Sequence, residues 1–129
     1  MTVTRPDYPE SIEDPLPMDE TREAIASDKV EGTPVYDGRG EKIGQIQNFM
    51  VDKRSGQVLY AVMSFGGFLG LGERHHPLPW SVLRYDEKLG GYAVGIDIDK
   101  IRNGPSYGRD DPPLFDRPYY GAVYGYYGL

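Results

Sequence analysis

The sequence predicts a mainly β fold: a small open antiparallel β-barrel with short helical turns and irregular N- and C-terminal extensions. From Thr33 onward, short apolar runs are separated by turns such as "DGRG" and "KRSG", which is typical of antiparallel strands that curl into a barrel. Alternation supports this assignment, because Tyr92, Val94, Ile96 and Ile98 would share one strand face. A chain of 129 residues is long enough for one domain.

The strands differ in how regular their patterns are. In "EKIGQIQNFMVD" the residues Ile43, Ile46 and Phe49 do not alternate cleanly, which indicates a bulge near Gly44. Residues 58–65 are apolar on both faces, as expected of a central strand buried on both sides.

Three aspartates indicate where strands end. Asp52 precedes "KRSG" and is expected to fix that hairpin turn through hydrogen bonds from its side chain to the backbone. Asp97 and Asp99 follow "YAVGI", and Asp99 is expected to cap a short helix over "KIRN". We therefore assign all three aspartates structural roles.

The chain divides into three predicted segments. Residues 1–24 form an acidic, Pro-rich and largely disordered arm, because the first 18 residues hold four prolines and few large apolar side chains. Residues 25–106 form the barrel domain. Residues 107–129 form a Tyr/Gly-rich tail with six of the eleven tyrosines. The tail either wraps the barrel and buries its rings or docks on another subunit or protein.

The charge of the chain is unevenly placed. The net charge is −6, and residues 1–31 carry nine acidic against three basic residues, so the remainder is balanced. Without clustered Lys and Arg, nucleic acid is not expected as a direct partner. No apolar run is long enough to cross a bilayer, so membrane insertion is not expected either. The chain has no cysteine, which fits a cytoplasmic location.

A glycine-rich stretch, "SFGGFLGLGERHHPLPW", occupies residues 64–80. Gly67 and Gly72 have the spacing of a phosphate-binding loop, but Glu73 and Arg74 stand where such a loop needs a lysine and a hydroxyl. We therefore interpret the stretch as structural, with its apolar residues closing one end of the barrel. The predicted structural or interaction residues here are Gly66, Gly67, Phe68, Leu69, Gly70 and Gly72.

The adjacent histidines are the candidates for metal chemistry. Neighbouring residues of a strand point to opposite faces, so His75 and His76 cannot easily chelate one ion. Glu73 and His75 would share a face and could bind zinc with a third ligand. The candidate metal ligands are therefore Glu73, His75 and His76. Ordinary surface or interface histidines are the preferred interpretation, and a pH-responsive role is an alternative. We predict no metal and no cofactor.

Aromatic side chains complete the predicted interaction residues. Trp80 is expected to be a core or rim ring, with an exposed recognition ring as the alternative. The tail contributes Tyr119, Tyr120, Tyr124, Tyr126 and Tyr127.

Residues 32–84 resemble the PRC-barrel family. The resemblance lies in Gly32 with "PVYD", the hairpin "GEKIG", Asp52 with Gly56, the stretch "GGFLGLGE", and "PLPW". It implies a small open β-barrel. The family includes the cytoplasmic domain of the photosynthetic reaction-centre H subunit, the C-terminal domain of a ribosome maturation factor, and stand-alone bacterial proteins viewed as adaptor or stress-associated proteins.

The function we predict is a non-enzymatic protein-interaction or scaffold module, because no serine lies in a nucleophile elbow and nothing nominates a catalytic base. The expected partner is the chain itself, as a homo-oligomer, or another protein. One alternative is a small-ligand or metal-binding protein that uses the glycine-rich and His-His turn. Another, by family analogy, is an RNA- or ribosome-associated factor.

Overall fold

The computed structural model describes residues 23–65 and 73–129. The described elements are α1 (Ser27–Val30), β1 (Pro34–Tyr36), β2 (Lys42–Val51), β3 (Val58–Phe65), β4 (Arg74–Pro79), a 3-10 turn (Trp80–Val82), β5 (Leu83–Asp86), β6 (Gly91–Val94), α2 (Ile98–Arg102) and α3 (Arg117–Tyr126). Short strands therefore dominate the barrel region, and the longest helix lies in the tail.

The six strands form one curled sheet in the order β4-β3-β2-β1-β6-β5. The predicted mainly β, open-barrel fold is confirmed. All neighbouring strands pair antiparallel except β1 and β6, which run parallel and pair Val35 with Tyr92. This parallel pair was not predicted, because it joins residues far apart in the sequence and no local sequence pattern indicates it.

The predicted bulge is confirmed in the β1–β2 ladder. Val35 pairs with Gly44 and Tyr36 pairs with Lys42, so Ile43 has no partner across this ladder. Glycine is required at position 44, because a Cβ there would overlap the carbonyl oxygen of Ser64 on β3. The extra residue Ile43, with a second register shift between Ile46 and Asn48 against β3, explains why the alternation of β2 is broken.

Aspartates fix the turns of the sheet. The carboxylate of Asp52 accepts hydrogen bonds from the backbone N–H groups of Arg54 (2.9 Å) and Ser55 (2.8 Å), as predicted. These bonds lower the pKa of Asp52, with the Ser55 bond contributing most. Asp37 and Asp86 act in the same way in their own turns.

The predicted cap of the short helix after β6 is off by two residues. Asp97 is the N-cap of α2, and its carboxylate accepts a hydrogen bond of 3.0 Å from the N–H of Asp99. Asp99 itself lies inside the first turn and pairs with Arg102 at 3.1 Å. The expectation failed because the helix begins at Ile98, before the "KIRN" segment that was expected to form it.

The hydrophobic core is one cluster of buried side chains from the sheet, α1, α2 and the tail. As predicted, β3 is buried along most of its length, and Tyr92 and Val94 share the buried face of β6. The predicted strand face does not extend to Ile96 and Ile98, because β6 ends at Val94 and Ile98 begins α2. The tail also contributes to the core, so its packing is part of the barrel. The buried members of this one cluster are Val30, Val35, Ile46, Ala61, Met63, Leu78, Tyr92, Val94, Ile101, Val123 and Tyr127.

Candidate interaction surface

The C-terminal helix α3 begins with a strong local signal. The carboxylate of Asp116 caps it by accepting a hydrogen bond of 3.0 Å from the N–H of Tyr119. Pro118 lies in the first turn, where a missing N–H costs nothing. The tail therefore contains a defined helix within the expected irregular extension.

One face of α3 is packed against the chain's own barrel. Val123 is fully buried and Tyr127 nearly so. The ring of Tyr60 on β3 contacts the rings of Tyr119 and Tyr120, with centroids 6.3 Å and 6.2 Å apart. The hydroxyl of Tyr124 donates a hydrogen bond to the carbonyl of Leu59. These contacts fix the orientation of the helix.

The opposite face of α3 is exposed and carries no charge. Pro118, Gly121, Ala122 and Gly125 lie on it, and the sequence has no ionisable acid or base from residue 118 to residue 127 other than tyrosine. A Cβ built on Gly121 or Gly125 would meet no atom within 4 Å. The fold of the chain itself therefore does not require glycine at either position.

The segment that leads into α3, residues 108–116, is called the strap here. It leaves the sheet at Tyr107, whose backbone exchanges hydrogen bonds of 2.9 Å and 3.0 Å with His75 on the edge strand β4. The ring of Phe115 is held between those of Tyr107 (5.7 Å between centroids) and Tyr119 (6.0 Å). The strap is thus anchored at both ends.

Two apolar side chains of the strap face solvent. Leu114 is 78% exposed and Phe115 is 41% exposed. Their backbone is fixed by a 2.9 Å hydrogen bond from the N–H of Asp116 to the carbonyl of Leu114. Leu114, Phe115 and the exposed face of α3 (Pro118, Gly121, Ala122, Gly125) are together called the interaction surface.

The predicted aromatic interaction residues are mostly turned inward. Tyr119, Tyr120, Tyr124 and Tyr127 lie on the barrel side of α3, and Tyr126 is the most exposed of the five, at 36%. Trp80 is half-buried and packs against Phe49 and Tyr92 at centroid distances of 6.0 Å and 5.5 Å. An interaction role for these rings remains a prediction. The predicted residues Gly66, Gly67, Phe68, Leu69, Gly70 and Gly72 lie outside the described residues.

The two histidines point to opposite faces of β4, as predicted. His75 is 3.6 Å from the carboxylate of Glu73 and packs on the ring of Tyr107. His76 is 3% exposed and packs edge-on against Phe65 at 5.2 Å. The expectation of a surface or interface histidine is therefore wrong for His76, because its side of β4 faces the core.

The environment of His76 favours the neutral imidazole. Burial lowers its pKa, and the nearby charges of Arg74 and His75 act in the same direction, whereas a hydrogen bond to the carbonyl of Ile101 opposes them. Its Nδ1 has no hydrogen-bond partner among the described residues. No group of three or more His, Asp or Glu in residues 23–65 and 73–129 is placed to hold a metal ion.

A shallow depression of about 370 Å³ lies beside the end of β3. Its lining includes Lys42, Ser64, Phe65 and Glu73, so a basic and an acidic side chain both border it. It does not bring the two histidines together: Glu73 lines it, but neither His75 nor His76 does. The geometry thus adds nothing to the small-ligand alternative built on these three residues.

A comparison with protein-family models matches residues 22–101 to the PRC-barrel domain. The chain belongs to the PRC-barrel family. No curated protein sequence matches it. Among solved structures, it is similar to the putative 16S ribosomal RNA processing protein RimM from Pseudomonas aeruginosa, with 23% identity and a TM-score of 0.39. The match covers 65% of this chain and 50% of that protein, so this PRC-barrel chain spans about half the length of the protein it matches.

The expectation that nucleic acid is not a direct partner is contradicted by this comparison and is withdrawn, because the matched protein is described as an RNA processing protein. That expectation rested on the absence of Lys and Arg clusters in the sequence, whereas residues distant in sequence can form a basic patch on the folded surface. Within the part of the chain that the structure describes, no helix is long and apolar enough to cross a membrane.

Leu114 and Phe115 were missed by the sequence analysis. The signal was present in "DDPPLFD", where an apolar pair follows two prolines and lies between aspartates. Prolines favour an extended segment without backbone donors, which indicates exposure. The tyrosines drew attention because of their number, yet most of them serve the packing of α3.

Proposed function

We propose that this PRC-barrel chain is a non-enzymatic protein-interaction module, in which the barrel is a scaffold that holds the strap and α3 in one conformation. The observation that carries the proposal is the exposure of Leu114, which is 78% although the residues around it are anchored. A single exposed leucine is ordinary. An apolar pair held rigidly beside an uncharged helix face is better suited to contact another protein.

The exposed face of α3 supports the same proposal. A glycine inside a helix costs about 0.5–1 kcal/mol relative to alanine. Gly121 and Gly125 both incur this cost, and intrachain packing requires neither. Glycine allows close approach of another backbone, so a partner segment lying on α3 would give these residues a role.

The non-enzymatic part of the proposal is supported by the contacts of the histidines, which are the side chains best suited to acid–base work near neutral pH. His75 contacts Glu73 and Tyr107, and His76 is enclosed in the core. A cytoplasmic location, self-association and a stress association belong to the proposal as well. The first is supported by the absence of cysteine, self-association by the tail, whose helix exposes an uncharged face, and the stress association by the family resemblance.

Site-specific photo-crosslinking in cells of the source organism tests the proposal. A benzophenone amino acid at Ala122, on the exposed face of α3, should give an adduct with a protein. The same group at Lys88, in the exposed turn between β5 and β6, is the matched control and should not give that adduct. An adduct of twice the chain mass would identify the self-associating form. Equal products at both positions, or none at either, would contradict the proposal.

A further inference from the structure

The strap has the composition of a recognition segment. Leu114 presents most of its side chain to solvent, and Phe115 presents about two-fifths of its surface. Burying a leucine side chain removes a large apolar area from water and so favours association. One such residue inserted into a pocket is enough to act as the central anchor of a small interface.

The strap is also ordered before any partner arrives. Pro112 and Pro113 fix two φ angles directly before Leu114. The inner edge of the Phe115 ring is held by Tyr107 and Tyr119, and α3 continues from Asp116. A preorganised segment loses less conformational entropy on binding than a mobile one, so more of the burial energy of Leu114 remains as affinity.

Charge surrounds this apolar pair asymmetrically. Asp110, Asp111 and Asp116 are all exposed, and the cations around the strap are Arg109, Arg117 and Arg74 of β4, whose guanidinium lies beside Gly108. Arg117 lies close enough to Asp52 to lower the pKa of that carboxyl, so part of its charge is matched by the turn between β2 and β3. With Arg117 matched in this way, the three carboxylates of the strap face two other guanidinium groups, so a small negative excess remains around Leu114.

Resting on the proposed function, we infer that the partner of the interaction surface is a protein with an apolar pocket bordered by Lys and Arg side chains, and that Leu114 is the residue the pocket takes. Carboxylates on the rim of an interface favour a partner of opposite charge and speed its association. The leucine supplies affinity, and the aspartates select the partner.

The test places the photo-crosslinking group at Leu114 of the full chain, in cells of the source organism, and maps the crosslinked peptide of the partner by mass spectrometry. The expected site is an apolar position with Lys or Arg around it. Neutralising two carboxylates with Asp110→Asn and Asp111→Asn should lower the crosslinking yield about fivefold, the effect of roughly 1 kcal/mol. Glu87→Gln, in the exposed turn between β5 and β6, is the matched control and should leave the yield unchanged.

The outcomes separate this inference from the proposed function. A protein adduct at Ala122 without one at Leu114 would overturn the inference and leave the interaction module standing. A crosslink from Leu114 into an acidic or uncharged site, into RNA, or with a yield unaffected by the Asp110 and Asp111 changes would also overturn it. No protein adduct at either position would remove both.

Discussion

The hydroxyl of Tyr126 donates a hydrogen bond of 2.7 Å to the carbonyl of Lys100, and this bond joins the C-terminal helix to α2. The amino group of Lys100 lies 5.4 Å from the centre of the same ring, so a cation–π contact adds to it. Gly104 lies beside Tyr126 and Tyr127, the two aromatic residues at the end of α3. A Cβ on it would lie 2.7 Å from the Tyr126 ring and 3.1 Å from the Tyr127 hydroxyl. The contact between α2 and α3 therefore requires a glycine, with no side chain, at position 104.

We expect Gly104→Val to lower the free energy of unfolding by about 1–3 kcal/mol, the usual cost of inserting methyl groups into a packed contact. Urea denaturation followed by tyrosine and tryptophan fluorescence would measure it. Gly95→Ala is the matched control, because a Cβ at Gly95 meets no atom within 4 Å. Equal stability of the two variants would contradict the close packing of α3 on α2.

The burial of His76 predicts a dependence of stability on pH. Its pKa is lowered in the folded chain, so below the unfolded value of about 6.5 the unfolded state binds more protons. Stability is therefore complete above that pH and falls as the pH drops towards the folded pKa, by at most about 1.4 kcal/mol per pH unit.

Urea denaturation between pH 7.5 and 5.5 would measure this slope. His76→Leu should flatten it and His75→Asn should retain it, and His76→Gln serves if the leucine variant does not fold. The lower end of the range stays above the region where the carboxyls of Asp37 and Asp52 titrate, since the pKa of each is lowered. Identical slopes of stability against pH in the parent chain and the His76 variant would show that a group other than His76 causes the pH dependence.

Gly121→Ala should stabilise the isolated chain by about 0.5–1 kcal/mol, because a helical alanine loses less entropy than glycine and its methyl group has room. A thermal unfolding curve would measure it. Gly40→Ala is the contrasting variant: Gly40 has φ +84, so alanine there should destabilise the chain by about 1 kcal/mol. A destabilising Gly121→Ala would mean that the exposed face of α3 is covered within the chain itself.

Local chemistry explains what the sequence predicted correctly. The bulge at Ile43, the turn at Asp52 and the buried strand β3 depend on residues near one another in the chain, so their patterns are readable. The parallel pairing of β1 with β6 depends on distant residues, and so it was missed.

The helix α3 shows tertiary packing overriding propensity. Its two glycines disfavour a helix, yet the buried Val123 and the ring contacts of Tyr119 and Tyr120 stabilise it. The capping aspartate and the proline of its first turn were readable signals. The candidate surface was harder to predict, because an exposed Leu114 is distinguished only by how rigidly its neighbours hold it.

The position of Tyr127 in the core has a consequence for protein synthesis. The barrel shares its core with Val123 and Tyr127, so a nascent chain that has reached only residue 115 still lacks two of the buried side chains of that core. During translation the strands emerge before the helix that covers them, and their apolar faces stay open to chaperones and proteases until α3 has left the ribosome. A prematurely terminated product would thus be recognisable to the cell as unfinished.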